Sequence, residues 1–452
     1  MKELYLKSKI ENSDMVRMWK EVFSKEEYGI ARKNMILSGI MSAFAGSFAS
    51  GTFYTGFLLA MGIDIVNINI IGIIAFITGF FTFFSPMVLN RFKSRKKLLI
   101  GSRLTVLLFN NIAITVLPFI PLSENSKIVL LCIFSFITGA INTIVTPGFS
   151  AWQIGYMGDN ETRTKYLTLQ TIITSTISSV TVFLSGQLAS LVTSLGEKQE
   201  ITFIVILRVV SVLFVLLDIY FQTRPKEPEY HNTDGGTSVA AIFRDPFRYK
   251  KFMLTCVVIF LWDFSFYISY SGFATYLLDT LHLSYGTITA VGSLNVFGVL
   301  FLTPLWKRFM DHHSMAATLI VTMLIMNSSY LITLFFTPTN VGWMYPIMGI
   351  LQHIINGGLG VALTNLQWMH LPEKDRTTCL SFSSLVRSIV SLLGQLLGTF
   401  IIARCAGKHV GVLFLQLDGV QITMLVEAVI VMVIVVYIFA LRKPLELQKK
   451  QS

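Results

Sequence analysis

The chain alternates twelve times between a long apolar run and a polar loop, and one longer polar segment, roughly Gln222 to Lys251, divides the runs six and six. The runs lie at about 34–61, 67–90, 98–120, 127–149, 165–193, 201–221, 250–280, 286–306, 315–337, 341–365, 377–402 and 417–441. A helix needs about 20 mostly apolar residues to cross a hydrocarbon core, and each run supplies them. Inside lipid the backbone must satisfy its own hydrogen bonds, so runs of this length read as helices. The pattern predicts an all-α membrane protein of twelve transmembrane helices in two six-helix bundles. The divisions it implies are an N-terminal segment (1–33), a first bundle (34–221), a linker (222–249), a second bundle (250–441) and a tail (442–452).

A net charge of +11 would suit a nucleic-acid partner if the charges formed one patch. They do not. Nearly all the Lys and Arg sit in alternate loops: the N-terminal segment, the loop between spans 2 and 3 (Arg91, Lys93, Arg95, Lys96, Lys97), and the central segment (Arg224, Lys226, Arg244, Arg248, Lys250, Lys251). The other side carries Lys127, Lys198, Arg404 and Lys408. That asymmetry sets membrane orientation and predicts a multi-pass cell-membrane protein with both termini cytoplasmic, with the lipid bilayer and no nucleic acid as partners. The first run is too long for the apolar region of a cleavable signal. Residues 14–34 before it read as an amphipathic helix on the inner surface. Cys132, Cys256, Cys379 and Cys405 fall in or at the ends of spans without CxxC spacing and read as buried thiols, not a metal site. No nucleotide-binding loop is present, and no nucleophile–base motif. Neither a cofactor nor enzymatic activity is expected.

The halves repeat one another. Loop 2–3 reads NRFKSRKK and loop 8–9 reads KRFMDHH. Loops 4–5 and 10–11 each carry a Trp (Trp152, Trp368), an acidic patch, and an Arg-Thr opening the next helix (Arg163, Arg376). Repeats of this kind place a site between two bundles near the bilayer midplane. With twelve spans, the 6+6 split, the long middle loop and the basic loops 2–3 and 8–9, the whole chain resembles the major facilitator superfamily. In that family's loop 2–3 signature, a Gly followed by Asp-Arg-x-Gly-Arg-Lys, Asn90 stands here for the Asp, Arg91 and Arg95 to Lys97 are kept, and the glycines are absent. The resemblance implies a cytoplasmic gate at Asn90, Arg91 and Arg95. Loop 4–5 is also similar to that of the sugar–cation symporters related to the melibiose carrier. That group uses span 2 acids for its cation, and span 2 here has none.

Charges within a span are expensive and point to function. At 1.5 Å rise per residue, Asp263, Arg387 and Glu427 lie about 15–20 Å from the helix ends, near the midplane. They are the candidate coupling residues, with Glu427 read as a bundle partner for Arg387. A carboxylate at that depth could take up a proton reversibly, which a close Arg387 would oppose. Asp263, Tyr267 and Tyr270 share a helix face with Trp262 adjacent in sequence, a grouping that suits a sugar or an organic cation. Polar stripes add candidate substrate contacts: His353 and Asn356 in span 10, Asn142 in span 4, Tyr54 in span 1. Arg208 and Arg103 read as structural or snorkelling, and Asp218 as reaching water near its helix end. Spans 5 and 11, rich in Ser, Thr and Gly, are expected between the halves.

The resemblance implies a secondary transporter working by alternating access on a small-molecule substrate, and as a monomer. The polar and aromatic stripes favour a sugar or glycoside moved with protons. A proton-antiporting exporter of drugs or metabolites is the alternative, and a non-transporting sensor or lipid-handling protein is the reading from another class.

Overall fold

The computed structural model describes residues 23, 27–89, 91–92, 94–157, 160–193, 197–227, 239–372, 376–412 and 415–443. Among them are twelve helices long and apolar enough to cross a membrane: Glu27–Ala60, Ile65–Phe84, Arg95–Phe119, Glu124–Ser150, Leu169–Val192, Ile201–Thr223, Lys250–Thr280, Tyr285–His312, Met315–Thr333, Val341–Gln367, Thr378–Cys405 and Gly419–Leu441, here spans 1 to 12. Span 1 begins at Glu27, well before the apolar run, because the EYGIARK stretch is made of residues compatible with helix and simply extends it. Most of the expected amphipathic helix over 14–34 lies outside the described residues, as do Asn90 and most of the N-terminal segment. A short antiparallel hairpin, β1 (Val410–Val412) and β2 (Leu415–Leu417), joins spans 11 and 12. All four cysteines are free thiols.

The packing repeats with the sequence. In the first half span 1 lies on spans 5 and 6, and span 2 on span 4. In the second half span 7 lies on spans 11 and 12, and span 8 on span 10. The halves meet through spans 2 and 11 and through spans 5 and 8, which puts spans 5 and 11 where their small residues led one to expect. Each half has its own apolar core. Met315, Leu319, Met323, Ile355, Leu359, Met424 and Val431 fill the second. The first has two clusters, one around Phe53, Phe57 and Ile114 and one around Leu99, Trp152 and Tyr166.

Helix regularity fails at specific places. Span 1 breaks at Ser50–Gly51, where Ser50 is extended and Gly51 takes φ +59°, a conformation that glycine reaches without a Cβ penalty. Spans 3 and 8 contain wide turns at Leu107–Ala113 and Gly298–Leu302, and span 2 tightens at Phe80–Phe84. Such irregular turns concentrate at functional positions and hinges.

Among the described residues, the hydrogen bonds between halves cluster away from the face where span 1 begins and span 12 ends, here the terminus face. Gln187 Nε2 donates to the Gly286 carbonyl at 3.0 Å, and the Gly286 amide donates to Ser190 Oγ at 2.6 Å. Gln395 Nε2 donates to Asn69 Oδ1 at 3.0 Å and Ser293 Oγ to the Ser179 carbonyl at 3.0 Å. Phe53 and Tyr285 stack with ring centroids 6.0 Å apart, Tyr285 fitting against Gly56. Phe83 carries apolar contact further toward the terminus face, against the cluster around Phe252 and Phe382.

Candidate functional site at the seam between the halves

Spans 7 and 11 approach backbone to backbone. Gly394 and Gly398 of span 11 sit on the carbonyls of Phe264 and Ile268, so close that a Cβ at either would overlap the oxygen. This is the small-xxx-small spacing by which helices pack closely in membranes. Nearer the terminus face on the same contact, Arg387 Nε donates to Asp263 Oδ2 at 2.5 Å and Nη2 to Oδ1 at 3.3 Å. The planar guanidinium thus meets the carboxylate with two bonds. The pair is asymmetric in exposure: the Asp263 side chain is 9% exposed and that of Arg387 43%. The carboxylate is sunk in the bundle, and the guanidinium is its open edge.

Tyr267 stands on the same face as Asp263 and meets Phe76 of span 2 edge-on, with centroids 4.7 Å apart. Tyr270 packs on Tyr267 at 5.3 Å and remains open. Asp263, Arg387, Tyr267 and Tyr270 therefore form one group at the seam. Trp262 does not join it. It is buried in the core of the second bundle, because a residue next to Asp263 in sequence points about 100° away around the helix.

A second polar feature adjoins the seam. Ala43, Gly46, Ser47 and Ser50 of span 1, Thr174, Ser175, Ser178 and Ser179 of span 5, and Asn295 of span 8 line a cleft of about 420 Å³. Asn356 reaches it through a bond from its Nδ2 to Asn295 Oδ1 at 3.3 Å. Asn295 escaped the sequence reading, although a lone Asn in the apolar run of span 8 was its available signal. His353 is spent on structure. Its Nε2 bonds the Val291 carbonyl at 2.8 Å between spans 8 and 10, which requires the proton on Nε2 and leaves Nδ1 buried as a bare acceptor. Tyr54 packs inside the first bundle, its ring 5.6 Å from the Arg208 guanidinium. Asn142 is half-buried on span 4, and its carbonyl accepts Thr146 Oγ1 at 2.6 Å.

Two charged residues, Glu427 and Asp218, sit differently from the sequence reading, and a third, Arg208, is structural as expected. Glu427 does not partner Arg387. It is 1% exposed, on the other side of span 7, where it accepts the Ser269 amide at 2.9 Å. Helical periodicity fixed its face but not which neighbour that face would meet. Asp218 does not reach water: it is 2% exposed and accepts Ser38 Oγ at 2.5 Å and Gln222 Nε2 at 2.8 Å. Arg208 is a buried cation held by neutral groups, Thr115 Oγ1 (2.9 Å), the Asn110 carbonyl (2.9 Å) and the Ala49 carbonyl (3.3 Å), with the Phe57 ring beneath it at 4.5 Å.

At the expected gate, Arg91 is exposed and Asn90 lies outside the described residues. The Arg95 and Lys96 amides both donate to Glu227, whose other oxygen takes Ser94 Oγ at 2.7 Å. Lys96 Nζ reaches back to the carbonyls of Thr223 (2.7 Å) and Pro225 (2.8 Å). The start of the central linker therefore caps the N-terminus of span 3, where backbone amides favour an anion. Glu227, in PKEP beside a basic loop, is a second residue the sequence reading missed.

Residues 255–452 match the family model described as Major Facilitator Superfamily. No curated protein is significantly similar in sequence. Among solved structures, a substituted form of the nucleoside transporter NupG superposes with a TM-score of 0.68 at 11% identity, over 92% of this chain and 100% of that one. A bacterial homologue of the human lysosomal transporter Spinster, inward-facing and unoccupied, gives 0.62 at 14% identity over 95% and 100% of the two chains. A POT family transporter in complex with a thioalcohol-conjugated peptide gives 0.63 at 10% identity over 94% and 98%. These likenesses are of fold, and the sequence match is to the second half. By sequence the chain is similar to the Major Facilitator Superfamily over residues 255–452, and by fold it is similar to solved transporters over nearly its whole length.

Proposed function

We propose that this chain is a transporter that moves a small polar solute of the sugar or glycoside class across the cell membrane by alternating access, driven by protons. The terminus face is cytoplasmic in this reading, since it bears the basic loops. The bonds between halves then close the outer side, and the seam is open to the cell interior.

One observation carries the reading: a sunken carboxylate, its guanidinium partner and two tyrosines share one seam on spans 7 and 11, and a cleft lined by Ser, Thr and Asn lies between the halves at spans 1, 5 and 8. Hydroxyls and amides that both donate and accept suit a polyhydroxy cargo, and tyrosine rings offer it an apolar face. Asp263 is the proton-accepting group, and Arg387 competes with the proton for it. Protonation releases Arg387 toward the seam, and the released guanidinium changes what the seam binds. Tyr267, Tyr270, Asn356 and Asn142 contact the cargo, while Trp262, His353 and Tyr54 support from within the bundles. Glu427 and Arg208 hold the lining helices.

The test is thermal unfolding of the purified protein against sugars, glycosides, amino acids and lipophilic cations. A ligand that binds only the native state raises the midpoint with its concentration. Stabilisation by a sugar, lost in Tyr270→Ala, is the expected result. Stabilisation by lipophilic cations alone overturns the reading in favour of an exporter.

A further inference from the structure

A second polar cavity lies inside the first bundle, toward the terminus face. It measures about 360 Å³, and its walls include Ser38, Arg103, Phe149, Gln170, Asp218 and Gln222. That is the small end of ligand-pocket sizes, roughly 300–1,000 Å³, enough for one small molecule. Ala43 and Thr174 line both this cavity and the serine-lined cleft, so the two are neighbours.

Its polar groups are incompletely paired. Gln222 is 3% exposed and uses its Nε2 on Asp218 (2.8 Å) and Ser38 (3.1 Å), yet its Oε1 is buried with no partner among the described residues. Arg103 lies over the Phe149 ring at 4.5 Å, and its buried Nε likewise has no hydrogen-bond partner among them. A buried donor or acceptor left unmade is costly, and here one of each belongs to a residue in the wall of a single cavity.

The pairing selects the ligand. The vacant acceptor needs a donor, and the vacant donor needs an acceptor. A cation faces Arg103, and an anion faces Asp218. A neutral hydroxyl both donates and accepts, so adjacent hydroxyls serve both groups without burying a charge. Phe149 adds an apolar stretch to the wall. We infer that this cavity is a second binding site, a subsite for a neutral polyhydroxy solute on the terminus-face side of the seam. The inference rests on the sugar reading above and adds to it a position, inside one half, that the cargo occupies before or after the seam.

The experiment measures binding of glucose, galactose, lactose and melibiose to the full-length protein in detergent, with alanine and glutamine as zwitterionic probes. Wild type is compared with Gln170→Leu, Gln222→Leu and the seam variant Tyr270→Ala, each first checked for a cooperative melt. Phe149→Trp, with the polar groups intact, reports occupancy by its fluorescence should the leucine variants fail to fold. The expected result is a sugar whose affinity falls roughly tenfold or more, the loss of a good hydrogen bond, in either leucine variant, and which shifts the Phe149→Trp emission. A sugar that is weakened by Tyr270→Ala but indifferent to both leucine variants, with silent Phe149→Trp emission, overturns the subsite and leaves the sugar reading standing. An amino acid that shifts the emission while the sugars do not overturns it in favour of a zwitterion. Binding of none of the four sugars by wild type overturns both.

Discussion

Glu427 on span 12 accepts the backbone amide of Ser269 on span 7 at 2.9 Å. In the other half, at the matching level, Arg208 on span 6 donates to the backbone carbonyl of Ala49 on span 1 at 3.3 Å, one residue before that helix breaks. The last span of each half thus uses a buried ionisable side chain, a carboxyl in one and a guanidinium in the other, to hold a backbone group of that half's first span. In span 1 the reason is plain: positive φ at Gly51 disrupts the helical ladder and frees carbonyls, and a freed carbonyl in hydrocarbon needs a donor.

Arg208→Met keeps the volume but removes the donors that satisfy Ala49, Asn110 and Thr115. The loss expected is about 1–3 kcal/mol, the penalty for buried acceptors left unpaired, read as a lower melting midpoint in detergent. Retention of wild-type stability would show that span 1 re-forms its own ladder.

Glu427→Gln preserves a carbonyl oxygen for the Ser269 amide, and Glu427→Leu does not. The glutamine variant is therefore expected to melt near wild type and the leucine variant lower, by about 1–3 kcal/mol. Equal melting of the two would remove the hydrogen bond as the reason for this carboxyl.

For the Asp263–Arg387 pair, truncating one partner harms more than truncating both, because the survivor is left uncompensated. Arg387 is open enough to be screened, so the deficit of Asp263→Ala relative to the double Asp263→Ala/Arg387→Ala should be modest, about 1 kcal/mol. Transport is expected to separate the roles further. In liposomes, Asp263→Asn should lose uptake driven by a pH gradient and keep exchange of cargo across the membrane. Gradient-driven uptake by that variant would exclude Asp263 as the proton acceptor.

Gly398→Ala places a methyl on the Ile268 carbonyl. Spans 7 and 11 must separate, at about 1–3 kcal/mol for overpacking, and the Asp263–Arg387 bonds on the same contact lengthen with them. A melting loss accompanied by a transport defect like that of Arg387→Ala is the expected pair of results. Gly101→Ala in span 3, with nothing near its Cβ position, is the matched control.

Glu227→Gln retains an acceptor but removes the charge at the start of span 3. A loss of about 0.3–1 kcal/mol, shrinking with salt, is expected from the helix dipole. Melting curves at low and high ionic strength measure it.

The helices were legible because hydropathy runs report the lipid directly, and the seam because spans 5 and 11 are so rich in small residues. Asp263 and Arg387 stood out as charges at midplane depth. What stayed hidden concerns neighbours and backbone. Periodicity gave Glu427 a face, and only packing gave that face Ser269. Asp218 lies near a helix end, but Ser38 and Gln222 cover it. Glycines are common in spans, so nothing in the sequence distinguished Gly51, which breaks its helix, from Gly46, which does not.

The break in span 1 divides one crossing into two short rods. The longer, Glu27–Ala49, packs on spans 5 and 6, whereas the shorter, Gly51–Ala60, also touches spans 7 and 8 of the other half. With Tyr285 seated against Gly56, the short rod is mechanically a shared part. In the alternating access proposed above, the long rod would swing about Ser50–Gly51 while the short one stays docked; Ser50 lies in the wall of the serine-lined cleft, so a cargo held there would bear directly on the joint.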